Sequence, residues 1–198
     1  MKLDLVHDIQ AAYRKTLDSM SRPGLISNIH IQADKVKMES GCFDSTLILV
    51  LMLFDTEVKF KVCSEREAEI AKLINQLTYA KVADVESADY ILVLKDAKPE
   101  DWEKAFRMAY PGDLLDPHKA ATLIIEVESV SNDRVLTLTG PGIGNECFAD
   151  VITSERWVEL RAEKNSEYPL GIDLIFTDGD DNLLCLPRTT QIMKQVVE

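Results

Sequence analysis

The 198-residue sequence contains few of the residues that build metal and redox sites. It has four cysteines and three histidines, and no two cysteines have Cys-x-x-Cys spacing. A zinc site needs several such residues brought together, so the sequence predicts no metal site. We interpret Cys42, Cys63, Cys147 and Cys185 as small core residues.

Long apolar runs and excess positive charge are also absent. The longest apolar run, 47–54, has eight residues, whereas a membrane-spanning helix needs about 20. The N-terminus lacks the apolar core of a secretory signal. A net charge of −12 argues against a protein that coats nucleic acid, although a few arginines can still hold a small anion. We therefore expect a cytoplasmic protein that binds neither membrane nor nucleic acid.

Helical and strand patterns alternate along the chain. Residues 44–54 are apolar on every side, which favours a buried helix and leaves a buried strand as the alternative. The strand at 134–138 is expected to follow a turn near 131–133, and 178–182 are expected to form a hairpin turn. The other predicted helices are 4–21, 64–77, one from Pro99 and 154–164, and the other predicted strands are 25–31, 58–62, 90–94, 123–127, 172–176 and 183–186.

This alternation defines the expected fold. Strands interleaved with helices predict an α/β domain. Strands that follow one another directly predict that its sheet also contains antiparallel pairs. We expect a single domain over 1–198, with three α/β/α layers, a mixed sheet and helices on both faces.

The stretch LTLTGPGIGNE, residues 136–146, is rich in glycine. A dinucleotide-binding fingerprint has the spacing Gly-x-Gly-x-x-Gly and opens a helix. Here Gly140, Gly142 and Gly144 give Gly-x-Gly-x-Gly, Pro141 removes a backbone donor, and no helical pattern begins. A tight strand exit is favoured, while an anion nest of another kind stays open.

Two arginines stand in segments suited to anion binding. Arg188 follows a predicted strand and precedes Thr189 and Thr190, so a guanidinium lies beside two hydroxyls. Arg22 precedes Pro23-Gly24. The alternative for each is an arginine that caps carbonyl groups or pairs with an acid. Asp173, at a strand start, could be a base, a ligand contact or a turn cap.

Several of these stretches together resemble one family. They are 13–24, 138–143, 168–173 and 186–190, and their order and spacing are similar to the H subunit of the bacterial carbon–phosphorus lyase system (PhnH). The resemblance implies a fold similar to the large domain of pyridoxal-phosphate-dependent transferases, without the cofactor. In agreement, no lysine stands in a recognisable Schiff-base context.

The resemblance also implies partners and a reaction. It implies a homodimer that joins the G, I and J subunits in a core complex. That complex replaces the adenine of ATP with an alkylphosphonate, which gives ribose 1-phosphonate 5-triphosphate. The H subunit would bind a phosphonate or nucleotide ligand while its partners catalyse; the alternative is a non-catalytic assembly and dimerisation protein. The candidate ligand-binding residues are Arg22, Pro23, Gly24, Gly140, Pro141, Gly142, Asp173, Arg188, Thr189 and Thr190.

Overall fold

The computed structural model describes residues 3–36, 38–153 and 156–195. Its helices are α1 His7–Ser21, α2 His30–Ala33, α3 Asp44–Leu53, α4 Glu67–Thr78, α5 Pro99–Met108 and α6 Trp157–Lys164. Its strands are β1 Ile26–Asn28, β2 Lys59–Cys63, β3 Lys81–Val82, β4 Tyr90–Val93, β5 Thr122–Glu126, β6 Ser129–Thr139, β7 Cys147–Ile152, β8 Asp173–Thr177, β9 Asn182–Leu186 and β10 Gln191–Lys194.

The main sheet has seven strands in the order β1-β9-β8-β5-β4-β2-β3. Strands β3, β2, β4, β5 and β8 pair in parallel, whereas β9 is antiparallel to both β8 and β1. The expected α/β fold with a mixed sheet is therefore confirmed. The predicted hairpin at 178–182 is the β8–β9 turn.

The core lies on both faces of this sheet because side chains alternate along each strand. On β4, Leu92 joins the cluster under α1, α3 and α4, and Ile91 joins the cluster that contains α5 and α6. The second cluster also includes Leu136 and Ala149 from a smaller sheet. Helices thus cover one face, and two helices share the other face with strands.

The smaller sheet, β10-β6-β7, is antiparallel and was only partly foreseen. The predicted turn near 131–133 is wrong, because β6 runs through these residues with an irregular register between Ser131 and Leu136. The chain bends earlier, at Glu128, between the end of β5 and the start of β6. The polar run 131–133 lies in this irregular part of the strand, where β6 advances five residues, from Ser131 to Leu136, while β7 advances one, from Asp150 to Ala149.

Other predicted elements need smaller corrections. Residues 44–54 form a helix, α3, rather than the alternative strand. The strand predicted over 25–31 ends at Asn28, because Asn28 Oδ1 accepts a hydrogen bond from His30 N (3.0 Å) and α2 begins there. The helix predicted over 154–164 is observed from Trp157, and residues 154 and 155 lie outside the described residues.

Helix α1 forms as predicted, but of the apolar stripe that the sequence pattern predicts for it (Val6, Ile9, Tyr13, Leu17 and Met20) only Ile9 and Met20 pack against the core. Val6, Tyr13 and Leu17 are 70%, 48% and 53% exposed. The buried side of the helix carries small and polar residues instead, including Ala12 and Ser19. Across the described residues, no helix combines the length and hydropathy that a membrane span requires.

Candidate functional site

The glycine-rich stretch connects β6 to β7 by a tight turn. Ile143 N donates to Gly140 O (3.1 Å), and Gly142 has a φ of +86°. Proline at the second position and a positive-φ glycine at the third are the requirements of a type II turn. This arrangement explains Gly140-Pro141-Gly142 by backbone geometry.

The turn contacts the segment that follows α1. A Cβ at Gly142 would lie 2.9 Å from Pro23 Cδ and would overlap Ser21 O. Gly24 has a φ of +94° and lies against the side chain of Cys147, at the start of β7. These glycines allow two chain segments to pack closely, with Cys147 Sγ donating to Pro23 O at 3.1 Å.

The same turn also contacts the segment after β9. A Cβ at Gly140 would lie 2.9 Å from Thr189 O, and Thr190 N closes a second turn onto Pro187 O (2.9 Å). Sequence positions more than 150 residues apart thus meet at one place. We call this meeting point of 21–24, 140–143 and 187–190 the junction.

The two predicted arginines have different environments at the junction. Arg22 follows the last residue of α1 and pairs with Asp18, and the two side chains are 58% and 47% exposed. Arg188 is only 18% exposed, and its Nε and Nη2 donate to Asp173 Oδ1 (3.2 Å) and Oδ2 (2.5 Å). Arg188 Nη1 also donates to Pro117 O, so each of the three guanidinium nitrogens makes a hydrogen bond within the chain.

Beside Arg188 lies a cavity of about 270 Å³ that sequence reasoning missed. Arg161 on α6 lines it and is 3% exposed, and its Nη2 donates to Pro187 O (2.7 Å). Burial lowers the pKa of Arg161 to about 10. A sequence signal existed: Arg161 stands four residues after the buried Trp157, and so shares the inward face of the helix.

A second polar cluster was also missed, where β4 and β5 end. Glu126, the last residue of β5, is 4% exposed. Its carboxylate accepts hydrogen bonds from Phe43 N (2.6 Å), Thr46 Oγ1 (2.7 Å) and Lys95 N (3.1 Å). Desolvation raises the pKa of Glu126 despite these donors. Because it joins the start of α3 to the segment after β4, we interpret it as a structural connector.

Among the described residues, no group of three or more His, Cys, Asp or Glu side chains is placed to hold a metal ion. The polar groups at the junction are guanidinium, hydroxyl and backbone groups. Fold and site together describe an α/β protein with arginines and glycine turns gathered where the strands of its smaller sheet begin and end.

The chain belongs to the family described as bacterial phosphonate metabolism protein (PhnH), whose family model matches residues 3–193. It is 29% identical over 190 residues to the "Putative C-P lyase subunit protein HtxG" of Stutzerimonas stutzeri, a match that covers 92% of this chain and 85% of that protein. It is 27% identical over 193 residues to the "Alpha-D-ribose 1-methylphosphonate 5-triphosphate synthase subunit PhnH" of Rhizobium meliloti (strain 1021), a match that covers 97% of this chain and 94% of that protein.

Proposed function

We propose that this chain is the H-type subunit of a carbon–phosphorus lyase core complex. In that complex an alkylphosphonate displaces adenine from ATP to give ribose 1-phosphonate 5-triphosphate, so the chain serves a transferase needed for phosphonate utilisation. The observation that carries the proposal is the family match over residues 3–193, together with relatives named as subunits of such assemblies. The chain acts in the cytoplasm as one domain over 1–198, with the fold of the large domain of pyridoxal-phosphate-dependent transferases and without the cofactor.

The ligand-facing surface in this proposal is the junction. Arg22 is the residue of this surface that can contact a ligand directly. Its exposed ion pair with Asp18 contributes only about 0–1 kcal/mol to stability, so a ligand anion can replace Asp18. Arg188 supports the surface from within, because each of its guanidinium nitrogens already donates to Asp173 or Pro117. The exposed residues Pro141 and Gly142 form the rim.

The partners in this proposal are a second copy of the chain and the G, I and J subunits. The exposed apolar stripe of α1 supports a protein contact. Tyr13 and Leu17 line an apolar cleft of about 150 Å³ together with Tyr90 and Ile175. Exposed apolar side chains grouped in this way are typical of protein interaction sites.

One observation favours the alternative, a non-catalytic assembly and dimerisation protein. Gly140 and Gly142 lie against backbone and proline atoms of the same chain, and Gly24 lies against the side chain of Cys147. Their small size is therefore used for packing, whether or not a ligand approaches.

Growth on a phosphonate tests the proposed function. A strain that lacks its own H subunit, but keeps the other subunits, is expected to use methylphosphonate as sole phosphorus source when it expresses this chain. Growth on inorganic phosphate is the control for general fitness. No rescue, with the chain present and folded in the cells, would contradict the proposal.

In the same strain, Arg22→Ala and Arg188→Ala separate the ligand-binding role from the assembly role. Loss of growth in both, with the chain still bound to its partners, supports ligand binding at the junction. Normal growth with Arg22→Ala favours the assembly role.

A further inference from the structure

Arg161 is a buried guanidinium without a carboxylate partner among the described residues. Within the described part of the chain its guanidinium makes a hydrogen bond from Nη2 to Pro187 O (2.7 Å), and its Nε is buried with no acceptor there. A buried charge is costly unless it is paired and its donors are satisfied. A neutral carbonyl satisfies one donor and leaves the charge uncompensated.

The acid whose charge acts on Arg161, Asp173, is already paired elsewhere. Asp173 acts on Arg161 through its charge alone, while its two oxygens accept hydrogen bonds from the Arg188 guanidinium and from Arg188 N (2.6 Å). The Arg188 charge is therefore neutralised within the chain. Arg161 is left as the uncompensated positive charge of the cavity wall.

A second residue of the cavity wall also carries an unsatisfied polar group. Thr190 is 2% exposed, lines the cavity, and its Oγ1 is buried without a hydrogen-bond partner. Buried hydroxyls nearly always have a partner, so an exception calls for an explanation. The unsatisfied Nε of the Arg161 guanidinium and the unpartnered Thr190 hydroxyl leave donors in this cavity wall for an acceptor.

The composition and size of the cavity restrict that acceptor. No lining residue is acidic, in a protein that has 34 Asp and Glu. A volume of about 270 Å³ lies at the lower end of small-molecule sites, which span roughly 300–1,000 Å³. Tyr168, at 82% exposure, stands among the lining residues at the solvent side. The space therefore suits a small anion, or the anionic end of a larger molecule.

We propose that this cavity binds a tetrahedral oxyanion of the phosphate or phosphonate class, held by the Arg161 guanidinium and the Thr190 hydroxyl. Arginine presents a planar fork of donors that matches the oxygens of such a group. The site itself follows from the cavity, and only the choice of a phosphonate over other oxyanions rests on the proposed function.

Calorimetric titration of the purified chain with inorganic phosphate, methylphosphonate and ATP tests the site. Arg161→Met removes the charge at similar length, and Thr190→Val removes the hydroxyl at similar shape. Each variant is expected to lose about 10- to 100-fold in affinity, because each removes hydrogen bonds to a charged group. Arg107→Met, at a half-exposed arginine on α5, is the matched control and should bind as the wild type does.

The three ligands distinguish the possible sources of the anion. Tighter binding of methylphosphonate than of phosphate identifies a phosphonate site, and tightest binding of ATP identifies a nucleotide phosphate site. Absence of binding by the wild type, or unchanged binding by both variants, would overturn the inference. If Arg161→Met does not fold, Thr190→Val alone decides.

This result is independent of the growth test. A chain that binds these anions but fails to restore growth overturns the proposed function and leaves the site in place. A chain that restores growth but binds none of these anions overturns the inferred site and leaves the proposed function in place.

Discussion

Arg188 and Asp173 form a two-point ion pair that joins the end of β9 to the start of β8. The guanidinium donates through Nε and Nη2 to both carboxylate oxygens, and Arg188 N adds a third hydrogen bond to Oδ1. Both side chains are about one-fifth exposed (18% and 20%). A pair of this geometry fixes the segment that carries Thr189 and Thr190.

Asp173→Asn is expected to destabilise the fold by about 2–4 kcal/mol, because it leaves a largely buried guanidinium without its counter-charge. Urea unfolding measures the change. The matched control is Asp18→Asn, which breaks the exposed pair with Arg22 and should cost about 1 kcal/mol or less. Equal effects for the two variants would contradict this view of the pair.

Gly142→Ala is expected to lower the free energy of unfolding by about 1–3 kcal/mol, because a side chain at positive φ is strained and the new Cβ meets Ser21 and Pro23. Gly144→Ala is the control, since nothing lies within 4 Å of its Cβ position. Thermal and urea unfolding of both variants provide the comparison. A Gly142→Ala protein as stable as Gly144→Ala would show that the junction is looser than described.

Glu126 is expected to give the fold a pH dependence. Its pKa is raised above the ordinary value of 4.5, so the native state binds the proton more tightly than the unfolded chain does. The stability from the protonated form is therefore fully present below about pH 4.5 and is lost as the pH rises through the folded pKa. Wild type should lose stability relative to Glu126→Gln over this range.

Urea unfolding from about pH 4 to about pH 8 measures that difference. Glu146→Gln, at an exposed glutamate in the β6–β7 connection, controls for the loss of a surface charge. Parallel stability curves for wild type and Glu126→Gln would contradict the prediction.

Leu17→Glu is expected to prevent self-association, because Leu17 lies on the exposed apolar stripe of α1 and is 53% exposed. Light scattering should show a dimer for wild type and a monomer for the variant. Leu115→Glu, at a 92% exposed loop residue, is the control and should stay dimeric. A Leu17→Glu protein that still forms dimers would exclude this stripe as the dimer contact.

The α/β class and most elements could be predicted from the sequence, because period-two and period-3.6 patterns report local structure. The small sheet could not, since β7 and β10 have weak patterns and β6 carries polar residues 131–133 at an irregular point. The stripe of α1 was visible, but its exposure depends on which residues the rest of the fold covers. Ala12 and Ser19 pack inward, and no pattern in the helix itself indicates that.

For the junction, too, the sequence predicted some of the residues but not their arrangement in space. The sequence pointed to Gly140, Gly142 and Arg188, and the resemblance to a family linked them with Arg22. Their meeting in space depends on tertiary contacts. Arg161 was missed because its significance lies in the absence of a carboxylate partner, which only the packed structure can reveal. Composition and spacing say nothing about which buried charges remain unpaired.

The most direct measurement of the central claim is affinity purification of the tagged chain from cells that grow on methylphosphonate. The G, I and J subunits are expected to elute with it in fixed proportion, whereas a tagged unrelated acidic protein should recover none of them. Elution of an abundant, folded chain without any of these subunits would show that it is not part of such a complex.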